Sequence, residues 1–313
     1  MAKYCFGVDV GGTTVKLGCF DTEGTLLEKW EITTRTANGG EAILPDVAAS
    51  ILDKMKEREI SREDVIGVGV GAPGPIDGEG TVYNAVNLGW GTFSIKNQLQ
   101  GLLNIPVEAG NDANVAALGE MWQGGGKGFS DIVMVTLGTG VGGGVILDKK
   151  IVAGKHGTGG EIGHLRIREG EKEPCNCGGY GCLEQVASAT GIAREARRAM
   201  EQDSSDTEMR KFGADITAKD VLDCAKAGDA MACRVMDTVF YYLGWALSVV
   251  SMTVDPEVFV IGGGVSRAGS FLTEGIRKYF DQFTTLSDQK AEITLAQLGN
   301  DAGIYGAARL ILD

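Results

Sequence analysis

The chain carries little positive charge. Its 313 residues include 29 lysines and arginines against 42 aspartates and glutamates, which gives a formal net charge of −13. General nucleic-acid binding relies on lysine and arginine to neutralise phosphates, so this balance argues against a nucleic-acid partner. An anionic ligand would need local help from backbone amides, a metal ion or a few lysines.

Long apolar runs are also missing, and no secretory leader is expected. The opening, MAKYCFGVDVGG, lacks the apolar core and the small-residue cleavage site of a signal peptide. The longest charge-free apolar stretch, 238–254, is shorter than the roughly 20 residues that span a bilayer. We therefore expect a buried helix there and no membrane partner.

Cysteines are few, and their number is odd. Four of the seven, Cys5, Cys19, Cys224 and Cys233, lie in apolar or helical patterns. No disulfide framework is implied, which favours a reducing, cytoplasmic location.

Glycine, by contrast, is abundant. Many of the 48 glycines form GG or GGG clusters directly after apolar runs, a placement that suggests backbone approaching a ligand. With 43% hydrophobic and 23% charged residues the sequence is typical of a globular protein. Its length is large for one compact core, so two lobes are expected.

Apolar, β-rich runs followed by polar or glycine turns recur along the chain. Strands are predicted within 4–10, 64–74 and 105–111, and the segment 131–152 repeats the opening plan of strand, glycine turn, strand, charged turn and strand. This repeat predicts a duplicated α/β domain, although two unrelated glycine hairpins would look the same.

Helical patterns fill most of the remaining chain. Residues 41–59 place Ile43, Val47, Ile51 and Met55 on one face. Further helices are predicted at 184–201, at 217–228 with a capping-box start, and at 229–254.

One histidine and three cysteines lie close together, at His164, Cys175, Cys177 and Cys182. Three thiolates and an imidazole suit tetrahedral Zn²⁺, and four protein ligands would make the site structural. The loop CNCGGYGC carries no apolar residues for a core of its own, so a metal would staple it. The alternative is a set of reduced surface thiols beside a hydrogen-bonded histidine.

A glutamate lies just outside each end of this cluster. Glu161 precedes His164 by three residues and Glu184 follows Cys182 by two. A metal that fixes the loop would also fix both carboxylates for hydrogen bonds with hydroxyl groups. Ordinary solvated charge is the alternative for either glutamate.

Three glycine turns follow β-rich runs, at DVGGTT (9–14), LGTGVGGG (137–144) and IGGGVS (261–266). Their backbone N–H groups and threonine hydroxyls can bind phosphate oxygens without positive charge. Phosphoryl transfer also needs Mg²⁺ and a proton acceptor. Asp9 is a candidate to orient Mg²⁺, and Asp112 is the candidate base, with an N-cap role as its alternative.

Six motifs together resemble the ROK family (repressors, open reading frames, sugar kinases), and within it the bacterial ATP-dependent glucokinases. They are DVGGTTVK (9–16), GAPGP (71–75), NDANVAALGE (111–120), LGTGVGGG (137–144), GGEIGH (159–164) and CNCGGYGCLE (175–184). The last matches the family pattern C-x-C-G-x-x-G-C-x-E in full. The resemblance runs from about Lys3 to the C-terminus.

The resemblance implies an actin-like/ribonuclease-H-like α/β fold of two lobes with ATP in the cleft. The expected lobes are 1–112, joined by a C-terminal helix at 300–313, and 113–299, which carries the zinc loop. The implied activity is transfer of the γ-phosphate of ATP, with Mg²⁺, to the 6-hydroxyl of a hexose, glucose first.

The resemblance also implies residue roles. Asp112 becomes the general base, and His164 is shared between zinc and a sugar hydroxyl. The sugar-binding positions are Gly71, Asn87, Asn111, Asp112, Glu161, His164 and Glu184. The nucleotide and phosphate positions, with Asp9 for Mg²⁺, are Asp9, Gly11, Gly12, Thr13, Thr14, Gly138, Thr139, Gly140, Gly262, Gly263 and Gly264.

Alternatives stay open at this point. Kinases for N-acetylmannosamine, mannose or fructose need the same base and phosphate turns, as would a polyphosphate-dependent enzyme. A non-catalytic sugar sensor and a zinc-dependent hydrolase fit less well.

Many family members have a lysine right after the first GGT, where this chain has Thr14, with Lys16 two residues on. The first strand begins about three residues in, so we expect no helix-turn-helix domain of the repressor branch. A homodimer or homotetramer is expected.

Overall fold

The computed structural model describes residues 3–312 as an α/β protein with two five-stranded sheets and a two-stranded one. The strands are β1 (Tyr4–Val10), β2 (Thr14–Asp21), β3 (Leu26–Thr33), β4 (Val65–Ala72), β5 (Thr81–Val82), β6 (Phe93–Ser94), β7 (Val107–Asn111), β8 (Ile132–Leu137), β9 (Val141–Leu147), β10 (Lys150–Ile151), β11 (Val258–Gly262) and β12 (Glu292–Leu295). The helices are α1 (Ile43–Glu57), α2 (Ile95–Leu103), α3 (Asp112–Gln123), α4 (Glu184–Ala187), α5 (Ala189–Gln202), α6 (Ala218–Lys226), α7 (Ala230–Val254), α8 (Ser270–Phe283) and α9 (Ala302–Leu310).

The first sheet has the strand order β3-β2-β1-β4-β7. β1 runs antiparallel to β2 and parallel to β4, and β4 runs parallel to β7. The β-branched and aromatic residues of β1 and β4, such as Phe6, Val8, Val68 and Val70, are fully buried. Because β1, β4 and β7 point the same way, their carboxyl ends share one edge of the sheet.

The second sheet has the order β10-β9-β8-β11-β12, with β8, β11 and β12 parallel. When the five strands of each sheet are numbered from one in chain order, both sheets have the order 3-2-1-4-5. The predicted repetition of the opening plan is therefore found in the strand order of the two sheets.

Two compact units share the chain. The first takes the chain up to Ser130, Gly144–Gly160 and the chain from Leu298, and the second takes Asp131–Gly143 and Glu161–Gln297. This division differs from the expected boundary after Asp112, because α3 groups with the first unit.

Close packing of α3 on α9 explains the difference. A Cβ on Gly119 would lie 2.3 Å from the carbonyl oxygen of Ala302, and one on Gly306 would lie 1.6 Å from that of Val115. Glycine at these two positions is what lets the two helix backbones touch.

Two helix predictions are confirmed in detail. α1 buries Ile43, Val47, Ile51 and Met55, the face that the periodicity indicates. α6 begins with the capping box of Thr217 and Asp220, and both reciprocal hydrogen bonds are present.

The prediction of one helix over 184–201 is wrong. The segment forms α4 and α5, which are separated at Ser188. The Ser188 hydroxyl accepts a hydrogen bond from the N–H of Gly191 at 2.9 Å and so begins a new helix.

α7 contains the apolar stretch 238–254. Within residues 3–312 it is the one helix long and apolar enough to cross a membrane by length and composition, with a mean hydropathy of 1.3. Of the same window, 61% is buried within the protein, which is the burial expected of a core helix.

Candidate active site and metal centre

The second unit brings the histidine and three cysteines together. The ligand atoms of His164, Cys175, Cys177 and Cys182 all lie within 4.8 Å of one another. Cys175 Sγ is 3.7 Å from His164 Nδ1, and Cys177 Sγ is 3.7 Å from Cys182 Sγ. The predicted cluster is therefore present as a group of four donor atoms.

These donors fit tetrahedral zinc. Two Zn–S bonds of about 2.3 Å at the tetrahedral angle place their sulfurs about 3.8 Å apart. Burial raises the pKa of the Cys182 thiol to about 12, and hydrogen bonds from Cys177 and Cys175 act in the same direction. A cation is the partner that would favour the thiolate, because metal binding displaces the thiol proton.

The tight bend of the loop depends on glycine. Gly181 has φ +73°, and a Cβ there would lie 1.9 Å from the carbonyl oxygen of Arg168. The bend brings Cys182 back towards the strand-like segment at 165–168, where Leu183 N–H donates to the carbonyl of Leu165 at 2.9 Å. His164 is thereby held next to the returning chain.

Both flanking glutamates lie at the cluster. Glu184, the first residue of α4, accepts a hydrogen bond from the Cys175 thiol through Oε1 at 3.6 Å. Its Oε2 accepts from the backbone N–H of Val141 at 3.1 Å. Glu161 is more exposed, with Oε2 3.9 Å from His164 Nε2. The histidine thus presents Nδ1 to the sulfurs and Nε2 towards a carboxylate.

The glycine turn between β8 and β9 lies against Glu184. A Cβ on Gly140 would lie 2.2 Å from Glu184 Oε2. The start of α5 contacts the other side of this turn. Ala189 N–H donates to the carbonyl of Gly138 at 2.8 Å, and the Thr190 hydroxyl donates to that of Thr139 at 3.0 Å. The turn and the metal-flanking carboxylate form one connected group.

The turn after β11 lies beside the end of β8. Gly263 has φ +83°, and a Cβ there would lie 2.4 Å from the carbonyl oxygen of Leu137. Two of the three predicted phosphate turns, Gly138–Gly140 and Gly262–Gly264, are therefore neighbours in the second unit.

In the first unit, the sheet edge collects four of the predicted residues. Asp9 in β1 pairs with Gly71 in β4, and Ala72 pairs with Asn111 at the end of β7. Asp112 follows as the first residue of α3, and a Cβ on Gly71 would lie 3.8 Å from the Asp112 Cα.

The N-cap of α3 is Asn111. Its Oδ1 accepts from the N–H of Ala113 at 3.0 Å and of Asn114 at 3.2 Å, and its Nδ2 donates to the carbonyl of Gly74 at 3.0 Å. The capping role considered for Asp112 therefore falls to its neighbour, although Asp112 Oδ1 also lies 2.8 Å from the N–H of Ala113. One amide hydrogen of Asn111 is left for a ligand.

Asp9 is a half-buried carboxyl with a raised pKa. Burial raises the pKa of Asp9 to about 6, Lys16 acts in the opposite direction, and the charge of Asp112 raises it further. Burial outweighs the lysine although the two residues are paired across β1 and β2.

The first glycine turn is anchored from behind. The buried Thr34 hydroxyl donates to the carbonyl of Gly11 at 2.7 Å, and Thr34 N–H donates to that of Thr13 at 2.9 Å. Asn87 is exposed and lies beside this turn, with its carbonyl oxygen 3.8 Å from the position of a Cβ on Gly12.

Sequence reasoning missed Thr34, Gly303 and Gln185. A Cβ on Gly303 would lie 2.6 Å from the Asp9 carboxyl group, so only glycine leaves that side chain in place. A glycine inside a predicted helix was the available signal for Gly303. The other two have no local pattern to reveal them.

Comparison with known proteins identifies the lineage. The profile of the ROK family matches residues 5–313. The chain belongs to the ROK family. Its α/β fold is the actin-like ATPase fold of ROK sugar kinases.

ROK relatives match the chain over nearly its whole length. A glucokinase from Halalkalibacterium halodurans is 44% identical, covering 99% of this chain and 95% of its own. A glucokinase from Thermotoga maritima is 38% identical, covering 97% and 96%. The crystal structure of a ROK glucokinase from Streptomyces griseus, in complex with glucose and AMPPNP, is 33% identical with a TM-score of 0.74 and covers 98% of both chains.

Proposed function

We propose that this ROK protein is a glucokinase that transfers the γ-phosphoryl group of ATP to the 6-hydroxyl of glucose. The observation that carries the proposal is the position of Glu184, which follows the metal-cluster residue Cys182 by two residues and accepts a hydrogen bond from the N–H of Val141 at the end of the glycine turn. A hydroxyl-binding carboxylate and a phosphate-binding turn are thereby held in one rigid group. The near full-length likeness to glucokinases supports the choice of glucose.

Asp112 is proposed as the general base. It lies at the start of α3, at the sheet edge where Asp9 and Gly71 also lie. A carboxylate at this position accepts the proton of the attacking hydroxyl as the oxygen–phosphorus bond forms. Asn111, fixed by its bonds to α3 and Gly74, would contribute its remaining amide hydrogen to the sugar.

The sugar is proposed to be bound by both carboxylates of the metal-flanking group. Glu161 and Glu184 accept hydrogen bonds from its hydroxyls, and His164 Nε2 adds a further contact. Gly71 and Asn87 are proposed as lining positions.

The phosphates are proposed to be bound by the three glycine turns. Their positions are Gly11, Gly12, Thr13, Thr14, Gly138, Thr139, Gly140, Gly262, Gly263 and Gly264. Backbone N–H groups and threonine hydroxyls stabilise phosphate oxygens, which suits a protein with an acidic net charge. Gly138 N–H donates to the carbonyl of Gly140 at 3.0 Å, so the donors for phosphate are the other amides of that turn.

Two metals have residues suited to them. Asp9 would hold Mg²⁺, directly or through water, and Mg²⁺ supplies charge neutralisation on the transferring phosphate. His164, Cys175, Cys177 and Cys182 would hold a structural Zn²⁺, which leaves no open coordination position for chemistry.

The test is a coupled ADP-release assay with ATP and Mg²⁺ over a panel of glucose, mannose, fructose and N-acetylmannosamine. The proposal predicts the highest kcat/KM with glucose. A clear preference for another hexose would assign a different ROK kinase, and no ADP with any sugar would indicate a non-catalytic sugar sensor.

Location and assembly are proposed as cytoplasmic and homo-oligomeric. All seven cysteines are free, as suits a reducing compartment. Tyr241, Val249 and Met252 expose apolar surface on α7, which suits a contact between copies. Light scattering on the purified protein tests the second point.

A further inference from the structure

Gln185 is a buried polar residue that is bonded through both ends of its amide. It is 7% exposed. Its Oε1 accepts from the N–H of Gly181 at 2.8 Å and of Cys182 at 3.2 Å, and its Nε2 donates to the carbonyl of Glu173 at 3.0 Å. Each bond goes to the backbone of the segment 173–182, which contains the three cysteines and is called the cysteine loop here.

These bonds join the two ends of that loop. Glu173 lies two residues before Cys175, while Gly181 and Cys182 close the loop at its other end. One side chain therefore spans the segment that carries all three sulfurs. Within it, Cys175 N–H donates to the carbonyl of Gly179 at 2.7 Å, which fixes the bend itself.

An ion-pair network holds Gln185 and Glu173 from the α5 side. Arg194 Nη2 donates to the backbone carbonyl of Gln185 at 2.6 Å, and its Nη1 donates to the Glu173 carboxylate at 3.0 Å. Arg198 makes a bidentate pair with Glu171 at 2.8 Å for both bonds, and the Glu171 side chain is only 2% exposed. Arg198 holds the pKa of Glu171 at about 2, so this pair is charged at any physiological pH.

We propose that Gln185 is a positioning residue for the metal cluster, which keeps the loop in its metal-binding shape before the metal arrives. The sequence suggested that a metal holds this glycine-bent loop in shape, and the structure shows hydrogen bonds from Gln185 that hold it as well. A ligand set that is already ordered loses less conformational entropy on binding, so its affinity is higher. Partners outside the direct ligands typically contribute 10- to 100-fold to metal affinity.

Cobalt titration of three variants tests this role. Co²⁺ is the probe because it takes the same tetrahedral thiolate and imidazole site as Zn²⁺ and absorbs visible light. Gln185→Met removes all three bonds but leaves the four ligands, so we expect about 10- to 100-fold weaker Co²⁺ binding with an unchanged four-coordinate spectrum. Gln185→Glu keeps an acceptor for Gly181 and Cys182 and should lose less affinity. Cys177→Ser removes a ligand and should change the spectrum itself.

Gln202→Met is the matched control, because Gln202 is an exposed glutamine at the end of α5. It should bind Co²⁺ as the unaltered protein does. Wild-type affinity in folded Gln185→Met would overturn the proposal.

Hydrogen exchange on the metal-free, unaltered protein decides the matter even if Gln185→Met does not fold. We expect the amides of Gly181 and Cys182 to be protected without metal, and free exchange at both would overturn the proposal. Neither readout involves glucose or ATP, so the result is independent of the proposed kinase activity.

Discussion

Lys16 and Asp9 lie directly opposite each other on the antiparallel strands β1 and β2. The Lys16 ammonium donates to the carbonyl of Asn300 at 3.0 Å. The lysine is thus bonded to the segment that leads into α9, and its charge opposes the effect of burial on the Asp9 carboxyl.

Replacing Asp9 by Asn should make stability less dependent on pH. The pKa of Asp9 rises from 3.8 to about 6 in the folded protein, so stability is lost as the pH rises through this window and the half-buried carboxyl ionises. The shift corresponds to about 3 kcal/mol at most. In urea unfolding without Mg²⁺, the free energy of unfolding of Asp9→Asn relative to that of the unaltered protein should rise by up to that amount between pH 4 and pH 8.

Asp53→Asn is the control for this measurement, since Asp53 is exposed on α1. It should leave the pH dependence unchanged. The same Asp9→Asn variant should lose kinase activity, because the amide is a poor Mg²⁺ ligand. A stability difference that does not vary with pH would show that the pKa of Asp9 is not raised in the folded protein.

The contact between α3 and α9 should not tolerate a methyl group. Gly306→Ala places a Cβ 1.6 Å from the carbonyl oxygen of Val115, and overpacking of this kind typically costs about 1–3 kcal/mol. Gly101→Ala is the matched control, because a Cβ there, in α2, meets nothing within 4 Å. It should stabilise by up to about 1 kcal/mol. Thermal unfolding of both variants checks the pair, and equal melting temperatures would contradict the packing argument.

Loss of one metal ligand should weaken sugar binding more than it slows phosphoryl transfer. Cys177→Ser loosens the metal-bound loop, whose last cysteine, Cys182, lies two residues before Glu184, so we expect KM for glucose to rise about tenfold while kcat changes little. Cys233→Ser, at an exposed cysteine of α7, should behave as the unaltered protein. Unchanged KM in protein shown to be zinc-free would separate the metal from the sugar site.

The local features of this protein could be predicted from its sequence. Periodicity gave the buried face of α1, the Thr217 and Asp220 pair gave the start of α6, and the spacing of the cysteines indicated the donor cluster. Each of these depends on residues a few positions apart. The cap at Ser188 was of the same kind and was overlooked.

Contacts over long sequence distances could not be predicted in this way. The Lys16 bond to Asn300 joins residues 284 positions apart. The grouping of α3 with the first unit depends on where α9 returns, which no pattern within α3 reveals. The support of the cysteine loop by Gln185 depends on the path of the loop, so a glutamine in a predicted helix gave no signal.

Asp112→Asn should remove the proton acceptor without removing the sugar site. We expect kcat to fall about 100-fold or more, because general-base catalysis typically contributes 10²- to 10⁴-fold. Calorimetric binding of glucose should be largely retained. Asp53→Asn serves again as the control. Near-normal turnover in Asp112→Asn would take the role of base from this residue.

The position of the transferred phosphate tests the proposed activity most directly. The purified protein is incubated with glucose, ATP and Mg²⁺, and the product is analysed by phosphorus–proton correlation NMR. We predict ADP and a sugar phosphate whose phosphorus couples to the two protons on C6. A phosphate on another carbon, or no phosphorylated glucose at all, would contradict the proposal.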